Sequence, residues 1–257
     1  MKHWLIACIV LFSGTGILAQ DAQQERVIGQ YSTEKYYGIN LRTTGWGGSF
    51  QYGKHKGVKD VRLFTMDFNF VHHEKEIKSF FQDPSARGFY YGKLNAFYTL
   101  KFGFGHRKVI YDKLRRNGVE ISSNWSAGPV LGFMRPIYLQ ILVVDPNLNG
   151  YTIDVQRYDP TQHYMENIYG RASNLLGIGQ MKVMPGFGGK YALMFEYSKY
   201  KTIQRGLEIG VAAEAFPRKI EILSNYVIGL TNGAARNHWL FVSGYVNFYF
   251  GRQTLRK

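Results

Sequence analysis

Between Ser243 and Phe250 the chain alternates strictly, with Val246, Phe248 and Phe250 on one side of an extended segment and Tyr245, Asn247 and Tyr249 on the other. Successive side chains of a β-strand point to opposite faces, so this segment predicts a strand with one apolar, aromatic-rich face and one polar face. Such a strand fits the wall of a membrane barrel, where every backbone N–H and C=O must bond a neighbouring strand inside hydrocarbon. Past the N-terminal leader no stretch reaches the roughly 18 consecutive apolar residues that a transmembrane helix needs. Aromatics form 16% of the 257 residues and glycines outnumber prolines 29 to 7, a balance suited to long strands and tight turns.

Seven further segments repeat the pattern. Tyr37, Ile39 and Leu41 oppose Asn40 and Arg42. Trp46, Phe50 and Tyr52 oppose Ser49 and Gln51, and Phe64, Met66, Phe68 and Phe70 oppose Thr65, Asp67 and Asn69. A fourth segment sets Leu94, Ala96, Tyr98, Leu100 and Phe102 against Lys93, Asn95, Thr99 and Lys101. A fifth sets Trp125, Ala127, Leu131 and Phe133 against Asn124, Ser126 and Gly128. The last two place Phe187, Tyr191, Leu193 and Phe195 against Lys190 and Glu196, and Leu207, Ile209, Val211 and Ala213 against Glu208 and Glu214. The expected fold is all-β, an eight-stranded antiparallel transmembrane β-barrel. A soluble sandwich also alternates, but its apolar face has no need of so many Phe, Tyr and Trp.

The start of the chain carries Lys2 and His3, an apolar run from Trp4 to Phe12 and small residues before Gln20, the pattern of a secretory signal peptide over 1–19 cleaved before Gln20. The only cysteine, Cys8, lies within it, so the remaining chain has no disulfide or thiol chemistry. The expected organisation continues with an N-terminal periplasmic segment (20–35), the outer-membrane barrel (36–252) and a periplasmic tail (253–257). Outer-membrane barrels alternate short periplasmic turns with longer outer loops. Here the segments 72–88, 135–183 and 217–237 are long, the turns near 54–60 and 198–204 are short, 105–119 is intermediate, and only the outer turn near 43–45 breaks the rule.

An eight-stranded barrel is narrow and its lumen is filled by side chains. The inward positions hold Arg42, Lys93, Lys101 and Lys190 against Asp67, Glu196, Glu208 and Glu214. Confined charges are costly unless paired, so this balanced set predicts a cross-linked plug. The competing reading is an ion or proton path. Glu208 and Glu214 are six residues apart on one strand, about 20 Å, too far for a glycosidase acid and base, which sit within about 10 Å. The formal charge is +14, and the excess falls on the predicted periplasmic side, at Lys54, Lys56, Lys59, Arg107, Lys108, Lys113, Arg115, Arg116, Lys199 and Lys201. Such a face suits anionic lipid headgroups or an acidic protein partner. Nucleic acid is not expected, since no stacking motif accompanies the basic residues.

Few residues suggest catalysis. Adjacent His72 and His73 point to opposite sides of an extended chain, so with Glu74 and Glu76 they predict a solvated loop entrance and no metal site. His163 and His238 lie in outer loops where a lipid-cleaving barrel would keep its base, but neither has a serine two residues on. No enzyme, metal or cofactor is expected. The longest loop concentrates Tyr151, Arg157, Tyr158, Tyr164, Tyr169 and Arg171, the composition of a protein-binding surface; a lid packed on itself is the equal alternative.

The leader ending Leu18-Ala19-Gln20, the aromatic strands and the stretches Tyr91-Gly92-Lys93-Leu94-Asn95, Asn167-Ile168-Tyr169-Gly170-Arg171 and Phe195-Glu196-Tyr197 resemble small outer-membrane β-barrel proteins of the Bacteroidota. That resemblance implies an accessory barrel in a secretion or barrel-assembly complex of a Gram-negative envelope. The chain departs from the usual assembly signal: three residues separate Gly244 from Phe248, and seven follow Phe250. The expectation is a non-enzymatic, plugged structural or accessory barrel, with a small-solute or ion pore as alternative and a lipid-modifying enzyme behind that.

Overall fold

The computed structural model describes residues 31–57, 59–113, 118–145, 150–198, 203–225 and 237–255; the predicted signal peptide lies outside them. In chain order the strands are β1 (Tyr31–Arg42), β2 (Gly45–His55), β3 (Asp60–Val71), β4 (Lys78–Ser79), β5 (Phe89–Tyr90), β6 (Asn95–Tyr111) and β7 (Glu120–Pro136). They continue with β8 (Tyr138–Asp145), β9 (Gly150–Arg157), β10 (Ile168–Arg171), β11 (Lys182–Glu196), β12 (Ile203–Ala215) and β13 (Leu240–Leu255). Eight of them, in the order β1-β2-β3-β6-β7-β11-β12-β13, form a closed antiparallel meander in which β13 pairs back onto β1. No helix among the described residues is long and apolar enough to cross a membrane.

All eight predicted strands are present, and they are longer than the alternation alone marked. β1 begins at Tyr31, inside the expected N-terminal periplasmic segment (20–35), and β13 runs to Leu255, past the expected end of the barrel at 252. β6 runs through Gly103 and Gly105 to Tyr111, so the expected turn 105–119 shrinks to about 112–119. The two glycines take inward positions between Lys101 and Arg107, where they leave the polar face without side chains, but the backbone pairing with β3 passes straight through them. At the other end Lys93 and Leu94 precede β6; Lys93 forms an isolated bridge with Leu223.

The barrel is polar inside and apolar outside. Thr65, Asp67, Asn69, Lys101, Asn124 and Glu208 are buried, whereas Ile39, Leu41, Phe68, Val211, Phe248 and Phe250 are exposed on the outer wall, Phe104 and Phe187 to 67% and 62%. Cross-strand neighbours align this outer surface into rows. One runs Leu41, Trp46, Phe70, Tyr98 and Phe133, and another, six residues along the strands, runs Tyr52, Phe64 and Phe104. Six strand residues span about 20 Å along a strand, about 15 Å of height at the usual barrel tilt, which fits within the apolar band of a membrane barrel.

The barrel ends differ. One end has the short turns. At the other, β1 turns into β2 through Thr43 and Thr44, with Gly45 at φ 149 where a Cβ would meet the Phe70 carbonyl, and the remaining loops build a platform. β7 passes through Ile137 directly into β8, which pairs with β9 on one side and β10 on the other. Phe89 of β5 packs with Leu139, Ile141, Tyr158 and Ile168 to give the platform its own small core.

A second apolar cluster stoppers the lumen beneath it. Phe216, Ile220, Ile222 and Leu223, from the loop after β12, pack against the inward-facing Val71, Phe97, Val130 and Met134. The loop is held by backbone bonds from Leu94 N to Ile222 O (2.9 Å) and Phe216 N to Trp239 O (2.8 Å), and by Asn237, whose Nδ2 donates to Leu223 O (2.8 Å). Ile222 is fully buried, so Ile222→Ala should cost about 2–5 kcal/mol, counting the cavity it leaves. Urea unfolding of the detergent-solubilised protein, followed by tryptophan fluorescence, checks this.

Candidate functional site

The lumen is filled in tiers. Near the platform Arg42 Nη1 meets Glu214 Oε1 at 2.9 Å, joining β1 to β12 across the closing strand β13. In the middle Asp67 takes two cations, Lys190 at 2.9 Å and Lys101 at 3.1 Å, both buried. Glu208 is treated differently: Gln51 (2.9 Å), Asn247 (3.0 Å), Tyr245 (2.6 Å) and Asn124 (3.4 Å) all donate to it, and no cation pairs with it among the described residues. Neutral donors fixed by three strands, β2, β7 and β13, stabilise the carboxylate without an ion pair.

The short-turn end holds a network that sequence reasoning missed. Arg107, expected on the basic periplasmic face, turns inward and is 4% exposed, since it lies on the same side of β6 as Lys101. Its Nη2 meets Glu34 at 2.5 Å and its Nη1 donates to the Tyr36 hydroxyl at 3.0 Å. His55 reaches the same carboxylate at 3.2 Å. Tyr36 also bonds Gln204. Gly53 faces Glu34, and a Cβ there would collide with its carboxylate, so the glycine makes room for the network. The signal was Glu34 and Tyr36 continuing the inward set of Asn40 and Arg42, a strand start hidden by too few apolar partners.

Six of the eight lumen residues predicted from sequence stand in or at the mouth of the lumen as paired or hydrogen-bonded groups around these tiers: Arg42, Asp67, Lys101, Lys190, Glu208 and Glu214. Glu196 lies at the short-turn end, where Lys113, assigned to the basic face, folds in to meet it at 2.7 Å. Lys93 is not in the lumen. It sits in the turn before β6 and meets Glu76 at 2.6 Å. What remains of the basic face among the described residues is an exposed collar of Lys54, Lys56, Lys59 and Lys108, with Lys59 3.9 Å from Asp112. Arg115, Arg116, Lys199 and Lys201 lie outside the described residues.

The platform divides the predicted loop surface. Tyr151 and Arg157 are exposed on β9, sharing one face with Ile153, Val155 and, across the pairing, Val144. Tyr158 is core, 4% exposed, and burial pushes its phenol up to about 12. Tyr169 donates to Asp83 at 2.8 Å, tying this loop to the one before β5. Tyr164 is exposed, and Arg171 borders a cavity beside the barrel rim. The histidines are engaged locally. His163 Nδ1 accepts from the Asp159 N–H (3.0 Å) while Nε2 meets Gln156 (3.0 Å), and burial pulls its pKa below the usual value against the pull of Asp159. His73 stacks on His238 at 5.9 Å, and Ser243 is buried on β13. Burial would raise the Glu76 carboxyl, but His72, Lys93 and the His73 N–H outweigh it and hold it at about 2.

Asp67→Asn should destabilise the barrel by about 3–5 kcal/mol because it strands two buried ammonium groups. Asp67→Leu with Lys101→Met and Lys190→Met should recover most of that loss in urea unfolding. The Glu76 pairing sets a second expectation. A carboxylate lowered from 4.5 to about 2 adds stability that is full above 4.5 and lost as pH falls through about 2. Hydrogen-exchange protection at residues 72–77, taken relative to the intrinsic rate at each pH, should therefore hold from neutral pH down to about 4 and fall below 3, with Glu76→Gln weakly protected throughout.

No family model matches this chain, and no curated protein matches it. Among solved structures it is similar to Neisserial surface protein A, NspA, at a TM-score of 0.40 and 7% identity, over 89% of this chain and 99% of that one. It is similar as well to Ail, the attachment invasion locus protein of Yersinia pestis, at a TM-score of 0.35 and 8% identity, over 88% of this chain and 97% of the other.

Proposed function

We propose that the protein is a non-enzymatic outer-membrane β-barrel with a plugged lumen, serving as a structural or accessory subunit of the cell envelope and working through its two ends. The observation that carries this reading is the filling of the lumen, with an apolar stopper at the long-loop end and ion-paired tiers through the middle and the short-turn end. An outer-membrane address is supported by the aromatic band on the barrel wall and by the signal-like leader. In that setting the short-turn end faces the periplasm, where the collar of Lys54, Lys56, Lys59 and Lys108 suits anionic headgroups and an acidic protein partner. The platform then faces outward, with the exposed face of β9 available for contact. Secretion and barrel-assembly complexes are settings in which such a barrel would serve.

Planar-bilayer recording of the purified protein tests the plug. No single-channel current above the bare bilayer is expected, and stepwise openings would replace this reading with that of a small-solute or ion pore. Co-purification from native membranes in mild detergent tests the accessory role; a stoichiometric partner lost on reversing Lys54, Lys56, Lys59 and Lys108 to Glu is the expected result.

A further inference from the structure

A cavity of about 320 Å³ opens at the barrel rim beside the platform, reaching the strand ends at Val71 and Phe97. Its floor is the outward aromatic row of Trp46, Phe70 and Tyr98, with Trp46 stacked on Phe70 at 4.4 Å. Lys93, Arg135 and Arg171 also line it, and no Asp or Glu does. The cavity wall is therefore cationic over an apolar base.

Arg135 is the residue that requires an explanation. Alternation along β7 puts it on the outward side with Leu131 and Phe133, and it pairs with Ala96 one step beyond the Tyr98–Phe133 row. An arginine on the lipid face of a barrel is tolerated only near the interface. This one is 7% exposed, covered by the platform, and its guanidinium lies 5.9 Å from the Tyr98 ring centre. Among the described residues it forms no ion pair or side-chain hydrogen bond, and its Nε is buried without a partner. Arg171 Nε is buried and unpartnered in the same way. Lys93 has Glu76, so one carboxylate answers three cations. A buried Nε–H without an acceptor is costly, and the planar donors of a guanidinium match a phosphate or carboxylate in a bidentate fashion.

We propose that this cavity seats the phosphate of a phosphorylated lipid headgroup from the surrounding leaflet. Arg135 and Arg171 donate to the phosphate oxygens, Lys93 adds charge, and the sugar or acyl portion lies on Trp46, Phe70 and Tyr98. The cavity's height matches: aromatic girdles mark the hydrocarbon boundary, and Arg135 stands one step beyond the row, at headgroup level. The floor continues the lipid-facing wall, which a free phosphate ion has no use for, so the lipid is the source assigned. This inference rests on the membrane-barrel reading.

The test is native mass spectrometry of the detergent-purified barrel titrated with lipid A, with enzymatically dephosphorylated lipid A, and with inorganic phosphate. Flotation with liposomes reports membrane insertion separately. Lipid A should bind about ten-fold or more tighter than its dephosphorylated form, the loss expected when a charge-assisted pair goes unmade. Arg135→Gln and Arg171→Gln should each remove most of that difference while the barrel still floats, and Arg135→Lys should retain part of it. Equal binding of the dephosphorylated lipid overturns the phosphate site. Inorganic phosphate competing as well as lipid A overturns the lipid source. Failure to float overturns the membrane reading itself. Because the wild-type comparison uses three probes, a variant that fails to fold leaves the proposal testable.

Discussion

The pairing of β13 with β1 is the constraint from which the rest of the structure follows. Once Tyr37 sits opposite Phe250 and Leu41 opposite Val246, the sheet has no edge and every wall residue is either inside or outside. Outward positions then need only be apolar. Inward positions are cut off from bulk water, so each polar group placed there must be satisfied by another side chain. Eight strands leave a bore just wide enough for those side chains to meet.

The barrel meets that requirement with different chemistry at different heights. At the long-loop end it uses hydrocarbon, with Ile220 and Ile222 fully buried in the mouth. In the middle it uses ions and neutral donors side by side, Asp67 between two lysines and Glu208 among Gln51, Asn124, Tyr245 and Asn247. At the short-turn end a guanidinium and a carboxylate, Arg107 and Glu34, close the bore with Tyr36 and His55. Glycines such as Gly53 accept the bulk of their neighbours, so the lumen is filled unevenly from strand to strand and evenly in total.

Much of this wall was legible in the sequence because period-two alternation reports which face a residue takes. It does not report height along the barrel, or where a strand stops when the pattern thins. Arg107 was therefore assigned to a turn, although it continues the inward set of Lys101, and Arg135 was read as the start of a loop, although it continues the outward set of Phe133. The stopper residues Phe216, Ile220, Ile222 and Leu223 carry no long period and only pack once the barrel exists to receive them. Ion-pair partners follow from closure as well: Arg42 and Glu214 are 172 residues apart. Lys93, read as luminal from a pattern begun two residues early, belongs to the platform.

The direct passage of β7 through Ile137 into β8 gives the platform a mechanical character. A loop tethered at flexible points would swing and dissipate a pull. Here, tension applied at the β8–β9 hairpin runs along one nearly continuous strand into the barrel wall, where β7 is bonded along its length to β6 and β11. Such a load acts parallel to the strands and strains many ladder bonds at once, so it meets shear resistance and no stepwise peeling. The platform is thus anchored in the wall through a single intervening residue, and displacing it would strain the β7 ladders as well as its own.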